Sequence, residues 1–395
     1  MHAIILKPKR EESVLRRHPW IFSGALKRII GNPQPGETVQ VMSSRGRLLA
    51  YGAYSPRSQI RVRVWSFNPD QQITAAFFHQ RLKHAITARR ALIRDNSVNV
   101  CRMVNSESDR LPGLIVDRYG DFLVCQFLST GAEFWKSVIV ENLLSQFNAT
   151  GIFERSDDAV RLKEGLQQQS GLLAGHEPPE LIQVREGPVR FLVDIRRGHK
   201  TGFYLDQREN RHLVSKYCAD TRVLNCFAYT GGFGLWALHG GARQVVNIES
   251  SADWLAVAQK NVTLNGYDGQ MVDHVKADVF EQLRQYRDTS RRFDLIILDP
   301  PKFAATAGQV PKAARGYKDI NLLAIKLINT GGILFTFSCS GHLGADLFKK
   351  IIADAALDAG RHVQIIRYLG QSADHPVALS FPEGSYLKGL ICRVW

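Results

Sequence analysis

The second half of the chain alternates short apolar runs with longer stretches of helical periodicity. Runs typical of buried strands begin at Val223, Gln244, Val272, Leu295 and Ile333. Helical stretches are predicted over residues 233–239, 254–265 and 320–328. Strands that alternate with helices in this way form a mostly parallel sheet with helices on both faces. Residues 181–395 are therefore predicted to form a Rossmann-like α/β domain, entered through a β-hairpin.

The first half of the chain shows different patterns on the two sides of residue 70. Residues 1–70 hold short apolar runs separated by glycine and proline turns, which predicts a small β-rich domain. Residues 73–178 combine predicted helices at 73–94 and 132–147 with several short strands, which indicates a small α+β domain. Turn-rich linkers at 67–70 and 175–179 separate the three predicted domains.

A turn rich in small residues joins the first strand of the α/β domain to its helix. Glycine has no Cβ, so such a turn lets the backbone approach a ligand closely. The turn does not read Gly-x-Gly-x-x-Gly, and no Gly-Lys-Ser/Thr follows it, which argues against a dinucleotide or a nucleoside triphosphate. A nucleoside without phosphate fits better, and S-adenosylmethionine is the common one. The alternative is a glycine-rich turn in another α/β fold.

Polar residues stand at the ends of the predicted strands, where open parallel sheets bind ligands. We expect Glu249 to bind ribose, Asp278 to bind the adenine amino group, and the glycine turn to hold the methionine end. Any one of these acids could instead be only a helix cap. The predicted cofactor contacts in the turn are Asn225, Phe227, Tyr229, Thr230, Gly231 and Gly232.

The segment Asp299-Pro300-Pro301 follows another predicted strand. Two prolines fix φ and remove two N–H donors, so the turn is stiff and presents carbonyl groups. It could accept hydrogen bonds from an exocyclic amine, with Phe303 stacked on the base and Lys302 beside the nucleic acid. The alternative is a stiff exit from the strand. This segment, the glycine turn and the acids together resemble S-adenosylmethionine-dependent methyltransferases.

Cys339 ends the next predicted strand, between two serines. A thiolate there could add to C6 of a pyrimidine and make C5 electron-rich enough to accept a methyl group. Positive charge from His342, Arg315 or Lys302 could lower the pKa of the thiol. Asp299 could hold N3 and N4 of a cytosine. The sequence offers Glu383 as the first candidate for the acceptor of the C5 proton and Asp374 as the second. The alternative interpretation of Cys339 is that it is a small buried residue without a catalytic role.

Charge is concentrated at the N-terminus. The chain carries a net charge of +14, and residues 1–70 hold 12 basic and 4 acidic residues. Strand-like alternation over residues 60–65 predicts one apolar face and one face that presents Arg61 and Arg63. Arg16 and Arg17 precede an aromatic run, a combination that suits RNA phosphates and unstacked bases. A solvated basic face on an ordinary small barrel is the alternative.

The composition of the chain bears on its cellular location and on its possible membrane and metal partners. No apolar run in the 395 residues approaches the ~20 needed to span a bilayer, and the N-terminus is too short and charged for a signal peptide. The six cysteines lie far apart without a Cys-x-x-Cys pair, so no metal is expected. We therefore predict a cytoplasmic protein without a membrane or metal partner, in which an exposed edge strand could support a homodimer.

The order of the whole chain resembles a known family. Residues 18–25 resemble the opening of PUA domains, and nearly the full length resembles the bacterial ribosomal RNA large subunit methyltransferase I family, which makes 5-methylcytosine in 23S ribosomal RNA. The most specific segments are 18–25, 199–208, 225–233, 299–303, 315–321 and 337–341. The resemblance implies S-adenosylmethionine as cofactor, 23S ribosomal RNA as partner and cytosine C5 as the target, and it adds Gln207 and Asp299 to the cofactor residues.

One position departs from related enzymes. Many RNA cytosine-C5 methyltransferases carry a second cysteine beside the Asp-Pro motif, where this chain has Pro301. Release of the product would then depend on a carboxylate, as in uracil-C5 enzymes. Three other hypotheses about function stay open. The chain could methylate uracil, it could methylate a purine while Cys339 has only a structural role, or it could be an RNA-binding module with no activity. The modified nucleotide and the choice between naked RNA and an assembling subunit are not determined by the sequence.

Overall fold

The structure is a computed structural model that describes residues 2–93 and 97–395. It divides into two compact units. The first comprises Met1–Glu186, Val193–Leu205 and Ala373–Gly384, and the second comprises Gly187–Leu192, Asp206–Ser372 and Ser385–Trp395. Both predicted N-terminal domains thus fall within the first unit.

The first unit begins with a six-stranded sheet, as the alternating pattern predicts. Its strands are β1 (Ala3–Leu6), β2 (Trp20–Phe22), β3 (Leu26–Ile30), β4 (Thr38–Met42), β5 (Leu48–Tyr54) and β6 (Ile60–Ser66), with a short helix α1 (Glu12–Leu15). The strand order is β2-β6-β5-β4-β1-β3. Ile4, Val39 and Val62 are fully buried in its core, because alternate residues of each strand point inward.

The α+β part of the first unit follows. Its helices are α2 (Ala75–Ile93), α3 (Thr130–Phe134), α4 (Lys136–Gln146) and α5 (Val160–Glu164). Its sheet has the order β11-β10-β9-β8-β7, formed by β7 (Val100–Asn105), β8 (Leu114–Tyr119), β9 (Phe122–Phe127), β10 (Gly151–Ser156) and β11 (Gln169–Gly175).

The core of this part also includes Ala53 and Trp65 from β5 and β6. This shared core explains why one unit contains two predicted domains. The predicted helix at 132–147 is two helices, α3 and α4, and the predicted end of α2 at Arg94 lies outside the described residues.

The second unit is built on a seven-stranded sheet. Strand β12 (Ile182–Glu186) belongs to the first unit, and β13 (Val189–Val193) begins in the second. The strands of the seven-stranded sheet are β14 (Arg222–Cys226), β15 (Gln244–Glu249), β16 (Val272–Lys276), β17 (Phe293–Leu298), β18 (Ile328–Ser338), β19 (Val363–Leu369) and β20 (Lys388–Val394). Its helices are α6 (Arg208–Val214), α7 (Gly232–His239), α8 (Ala252–Leu264), α9 (Val279–Asp288), α10 (Val310–Leu327) and α11 (Ala345–Asp358).

The sheet order is β16-β15-β14-β17-β18-β20-β19. Strands β14 to β18 pair in parallel, as predicted. The apolar runs of β14, β15, β17 and β18 are buried on both faces, whereas β16, at the edge of the sheet, is only partly buried. Strand β20 runs antiparallel to both β18 and β19. The carboxyl ends of the parallel strands therefore share one edge, and the start of β20 lies at the same edge.

Strand β19 is an edge strand, and Ile365, Ile366 and Tyr368 on it are exposed. An edge of this kind is what the expected homodimer needs, but the homodimer stays a prediction. Among the described helices, none combines the length and the apolarity that crossing a bilayer requires.

Candidate active site

The turn between β14 and α7 has an unusual backbone. Phe227 and Tyr229 have φ values of +58° and +50°, and Gly231 has a φ of +80°. Positive φ is uncommon outside glycine, and it occurs mainly where the surroundings impose it. Here Ala228 donates its N–H to the Ile248 carbonyl at 2.9 Å, so the turn is tied to the neighbouring strand β15.

Glycine allows helix α7 to pack closely against the sheet. A Cβ at Gly234 would lie 2.7 Å from Asn247 Oδ1, which is closer than any real contact. The Asn225 side chain is buried and donates to the same oxygen at 2.8 Å. The Asn225 amide therefore forms a hydrogen bond between two strands of the sheet. A contact between Asn225 and the cofactor stays a prediction.

Glu249 at the tip of β15 is bound to the glycine turn. Its carboxylate accepts hydrogen bonds from Tyr229 N at 2.9 Å, Ser251 N at 3.1 Å and Ser250 Oγ at 3.0 Å. A carboxylate offers about four acceptor positions, so roughly one is left for a ribose hydroxyl. The acid, the left-handed turn and the missing phosphate motif together fit a nucleoside such as S-adenosylmethionine.

Two other residues predicted to contact the cofactor, Thr230 and Asp278, differ in burial and in hydrogen bonding. The Thr230 hydroxyl is buried in the turn and has no hydrogen-bond partner among the described residues. Buried hydroxyls are nearly always bonded, so a bound ligand or a small movement of the turn would satisfy this one. Asp278 is exposed and caps α9 by accepting from Glu281 N at 3.1 Å, and its contact with adenine stays a prediction.

Asp299 directly follows β17 and is oriented by Gln207. The Gln207 amide donates to Asp299 Oδ1 at 2.9 Å, and its own oxygen accepts from Asn210 Nδ2 at 2.6 Å. Gln207 and Asn210 are buried, so these two hydrogen bonds hold the Asp299 carboxylate in one orientation. Gln207 thus has a role that the sequence did not indicate, and its predicted cofactor contact is untested.

The loop after Asp299 carries the two residues predicted to contact the target nucleotide. Phe303 is half-buried, with its ring centroid 4.7 Å from that of Tyr317 and 6.0 Å from that of Phe280. Lys302 is exposed. Phe303 therefore packs partly into the core of the unit, and stacking on a base stays a prediction for its remaining surface.

Cys339 follows β18 at the same edge of the sheet. Its Sγ lies 3.9 Å from the Pro300 carbonyl oxygen, and the residue is partly exposed. Ser338 and Ser340 are fully buried, and the Tyr317 hydroxyl lies 2.9 Å from Ser338 Oγ and 3.1 Å from Ser340 Oγ. Successive residues of an extended segment point in opposite directions, so two serines that point inward turn Cys339 outward.

The other cysteines differ from Cys339. All five are buried. Burial raises the pKa of Cys218 and of Cys392 to about 12, and it also raises the pKa of Cys125 and Cys226. The thiolate is the reactive form, so Cys339 is the cysteine whose surroundings suit a nucleophile.

The structure also reveals Lys388, which the sequence patterns do not single out. It begins β20, it is half-buried, and its Nζ donates to the Ser340 carbonyl at 2.7 Å. Burial lowers the pKa of Lys388 to about 8, while negative charge on Cys339 acts to raise it and Lys302 acts to lower it. The cations proposed from the sequence, His342, Arg315 and Lys302, are exposed. A charged residue at the head of a mostly apolar strand is the signal that could have pointed to Lys388.

The two predicted proton acceptors belong to the first unit, whereas Cys339 and Asp299 belong to the second. Glu383 is exposed, and its carboxylate lies 3.2 Å from His18 Nε2. Asp374 is buried, accepts from Arg102 N at 2.8 Å and contacts His375. The structure therefore corrects the second choice, because Asp374 is committed to an internal network. Glu383 as proton acceptor stays a prediction.

Among the predicted RNA contacts, Arg63 needs correction. It is 7% exposed and forms an ion pair with Glu164 at 2.7 Å, so the second face of β6 is covered and Arg63 does not face solvent. Arg16 and Arg17 are exposed, and Arg61 is half-buried with a hydrogen bond to the Pro56 carbonyl. Arg16, Arg17 and Arg61 keep their predicted role in RNA binding, which is untested.

Comparison with known proteins decides the family. Residues 161–376 match the family model for S-adenosylmethionine-dependent methyltransferases, and residues 4–67 match a PUA-like domain. A protein from Aeromonas salmonicida named ribosomal RNA large subunit methyltransferase I is 52% identical over 390 residues, covering 99% of this chain and 98% of its own. The protein of that name from Escherichia coli O157:H7 is 51% identical over 391 residues, with 99% of both chains covered.

The chain belongs to the ribosomal RNA large subunit methyltransferase I family. Solved structures agree with this fold. A SAM-dependent methyltransferase from Streptococcus mutans covers the whole chain with a TM-score of 0.85 at 20% identity. Another methyltransferase, complexed with SAH, does so with a TM-score of 0.87 at 20% identity. The predicted fold class and the cofactor, S-adenosylmethionine, are thereby confirmed.

The geometry of Glu249 leads to a prediction about cofactor affinity. Glu249→Gln keeps the shape of the side chain but replaces a charge-assisted acceptor with a neutral amide, at a cost of about 1–2 kcal/mol. We expect the affinity for S-adenosylmethionine to fall about tenfold in calorimetric titration. Asp346→Asn, which changes an exposed acid at the start of α11, is the control and should bind as wild type does. Equal affinity of Glu249→Gln and wild type would remove Glu249 from the cofactor site.

Proposed function

We propose that this chain transfers the methyl group of S-adenosylmethionine to C5 of a cytosine in 23S ribosomal RNA, with Cys339 as covalent nucleophile. The observation that carries the proposal is the placement of Cys339. It is the partly exposed cysteine among six, and its Sγ lies 3.9 Å from the backbone of the Asp299-Pro300-Pro301 turn. The names of the relatives support an RNA of the large subunit as the substrate.

The chemistry requires a nucleophile because C5 of a pyrimidine is a weak one. The Cys339 thiolate adds to C6, which places electron density on C5. C5 then takes the methyl group, for which bound S-adenosylmethionine supplies the electrophilic carbon. A proton leaves C5 to a base, the C6–S bond breaks, and the thiolate is restored.

Asp299 is suited to hold the base during this sequence. Its carboxylate can accept a hydrogen bond from N4–H of cytosine and share a proton with N3, where negative charge develops after the thiolate adds. Gln207 holds Oδ1 at 2.9 Å, so the carboxylate is oriented before the base arrives. The adjoining prolines limit its backbone freedom.

Glu383 is the proposed acceptor of the C5 proton. It is exposed, and its partner His18 can polarise the carboxylate. Because Pro301 occupies the position next to the Asp-Pro motif, no second cysteine is available there for release of the product. A carboxylate base is then the simplest route to elimination.

The PUA-like segment is the proposed RNA anchor. Residues 4–67 match that domain and lie within the region of 12 basic and 4 acidic residues. Arg16, Arg17 and Arg61 would neutralise phosphates, and Lys302 and Phe303 would contact the target nucleotide. Arg63 is excluded from this set by its buried ion pair with Glu164.

Nucleoside mass spectrometry tests the reaction. Unmodified 23S ribosomal RNA would be incubated with labelled S-adenosylmethionine and the enzyme, digested, and resolved into nucleosides. We expect label in 5-methylcytidine alone. Label in 5-methyluridine or in a methylated purine would overturn the base assignment. A protein that binds the cofactor but transfers no label to naked RNA or to ribosomal subunits would support the RNA-binding module without activity.

A further inference from the structure

We infer that Lys388 activates Cys339 by placing its ammonium group beside the sulfur, where the positive charge stabilises the thiolate. Lys388 acts through Cys339 and is therefore a positioning residue. The inference rests on the proposed function for its catalytic meaning, but the pairing itself is a property of the protein without RNA.

The sheet fixes Lys388 next to the nucleophile. In the antiparallel ladder of β18 and β20, Lys388 is the register partner of Ser338, the residue before Cys339. Its Nζ donates to the carbonyl oxygen of Ser340, the residue after Cys339, at 2.7 Å. The amino group is thus tied to the backbone on one side of the cysteine while its strand pairs with the other side.

The electrostatic surroundings of Lys388 suit stabilisation of a thiolate. Half-burial lowers the pKa of Lys388 to about 8, close to the ordinary value of about 8.5 for a cysteine thiol. At neutral pH most Lys388 side chains therefore carry the proton, and their positive charge can stabilise a thiolate at Cys339. Negative charge on Cys339 raises the pKa of Lys388, so each charged partner favours the other.

The other titratable groups near this pair do not supply the same effect. Lys302 is exposed, and its charge is screened by solvent. The Tyr317 hydroxyl is bound to Ser338 and Ser340, and burial raises its pKa, so it stays neutral at physiological pH. Of the two lysines, Lys388 is the half-buried one, so solvent screens its electric field at Cys339 less than it screens that of Lys302.

The proposed step conserves atoms and charge. The S–H bond of Cys339 breaks and its proton passes to solvent, which leaves a thiolate beside the ammonium group of Lys388. The sulfur lone pair then forms the bond to C6 of the base. When the C6–S bond breaks after methyl transfer, the electron pair returns to sulfur beside the same ammonium.

Alkylation of Cys339 by iodoacetamide, followed by peptide mass spectrometry over a range of pH, measures its thiolate fraction directly. Four proteins would be compared: wild type, Lys388→Met, Lys388→Arg and Lys350→Met, the last at an exposed lysine of α11. Lys388→Met should raise the midpoint by about one pH unit and slow alkylation about tenfold at neutral pH. Lys388→Arg keeps the charge and should stay within about threefold of wild type, as should Lys350→Met.

The result that would overturn the inference is superposition of the Lys388→Met and wild-type profiles. A change in Tm alone would indicate only a structural role, whereas the pH midpoint reports the charge at Cys339. The assay needs no RNA, so it stays informative even if 5-methylcytidine is not the product. Conversely, a confirmed product with unshifted profiles would leave the proposed function standing and remove Lys388 from it.

Discussion

Replacement of Cys339 by alanine is expected to reduce methyl transfer by roughly a thousandfold or more, since no other group can form the bond to C6. Cys339→Ser should be almost equally inactive, because a serine hydroxyl is not ionised at neutral pH. Single-turnover transfer from labelled S-adenosylmethionine to ribosomal RNA measures the effect. Cofactor binding should be unchanged in both variants, which would show that the loss is chemical.

The matched control is Cys218→Ala, which removes a buried thiol that donates to the Val214 carbonyl at 3.0 Å. It should lose some stability and keep its activity. If Cys339→Ala retained a substantial part of the wild-type rate, the covalent route would be wrong. Direct methylation of a purine at the Asp-Pro-Pro turn would then be favoured.

The second large effect is expected for Asp299→Asn. An asparagine can still bind neutral cytosine, because its oxygen accepts from N4–H and its amide donates to N3. It cannot share a proton with N3 as the thiolate adds. We therefore expect kcat to fall by roughly 10²–10³ with a small change in KM, as when a group that acts on developing charge is lost.

Asp294→Asn makes the same substitution in β17, the strand that Asp299 follows. Asp294 accepts from Arg222 N at 2.8 Å and from Asn329 Nδ2 at 2.6 Å, far along the strand from the site. This variant should keep its kcat. Equal losses in the two variants would mean that the effect of Asp299→Asn is structural.

Much of the fold could be predicted because its signals are local. The strand ends at Glu249, Asp299 and Cys339 follow from apolar runs that any parallel sheet must bury. The turn at Gly231 is equally local, because its residue types report the backbone that they allow. For these elements the sequence pattern and the structure agree within a few residues.

The remaining features depend on partners that are distant in sequence. Lys388 is adjacent to Cys339 only because β20 returns antiparallel to β18, a pairing that the alternation of strands and helices does not predict. Arg63 was expected at a solvent-facing position, but Glu164, about a hundred residues later, covers it. Gln207 likewise acquires its role from a bond to Asp299. Local patterns predict elements and candidate chemistry, whereas tertiary contacts decide which charges are buried and paired.

The most direct test of the covalent mechanism uses RNA in which the cytidines are replaced by 5-fluorocytidine. After methyl transfer the fluorinated C5 carries no proton for a base to remove. The C6–S bond to Cys339 therefore cannot break by elimination, and the covalent adduct persists. We predict a stable protein–RNA complex that requires S-adenosylmethionine, with the nucleotide attached to the peptide that contains Cys339. An enzyme that methylates ordinary RNA but forms no such complex would contradict the mechanism.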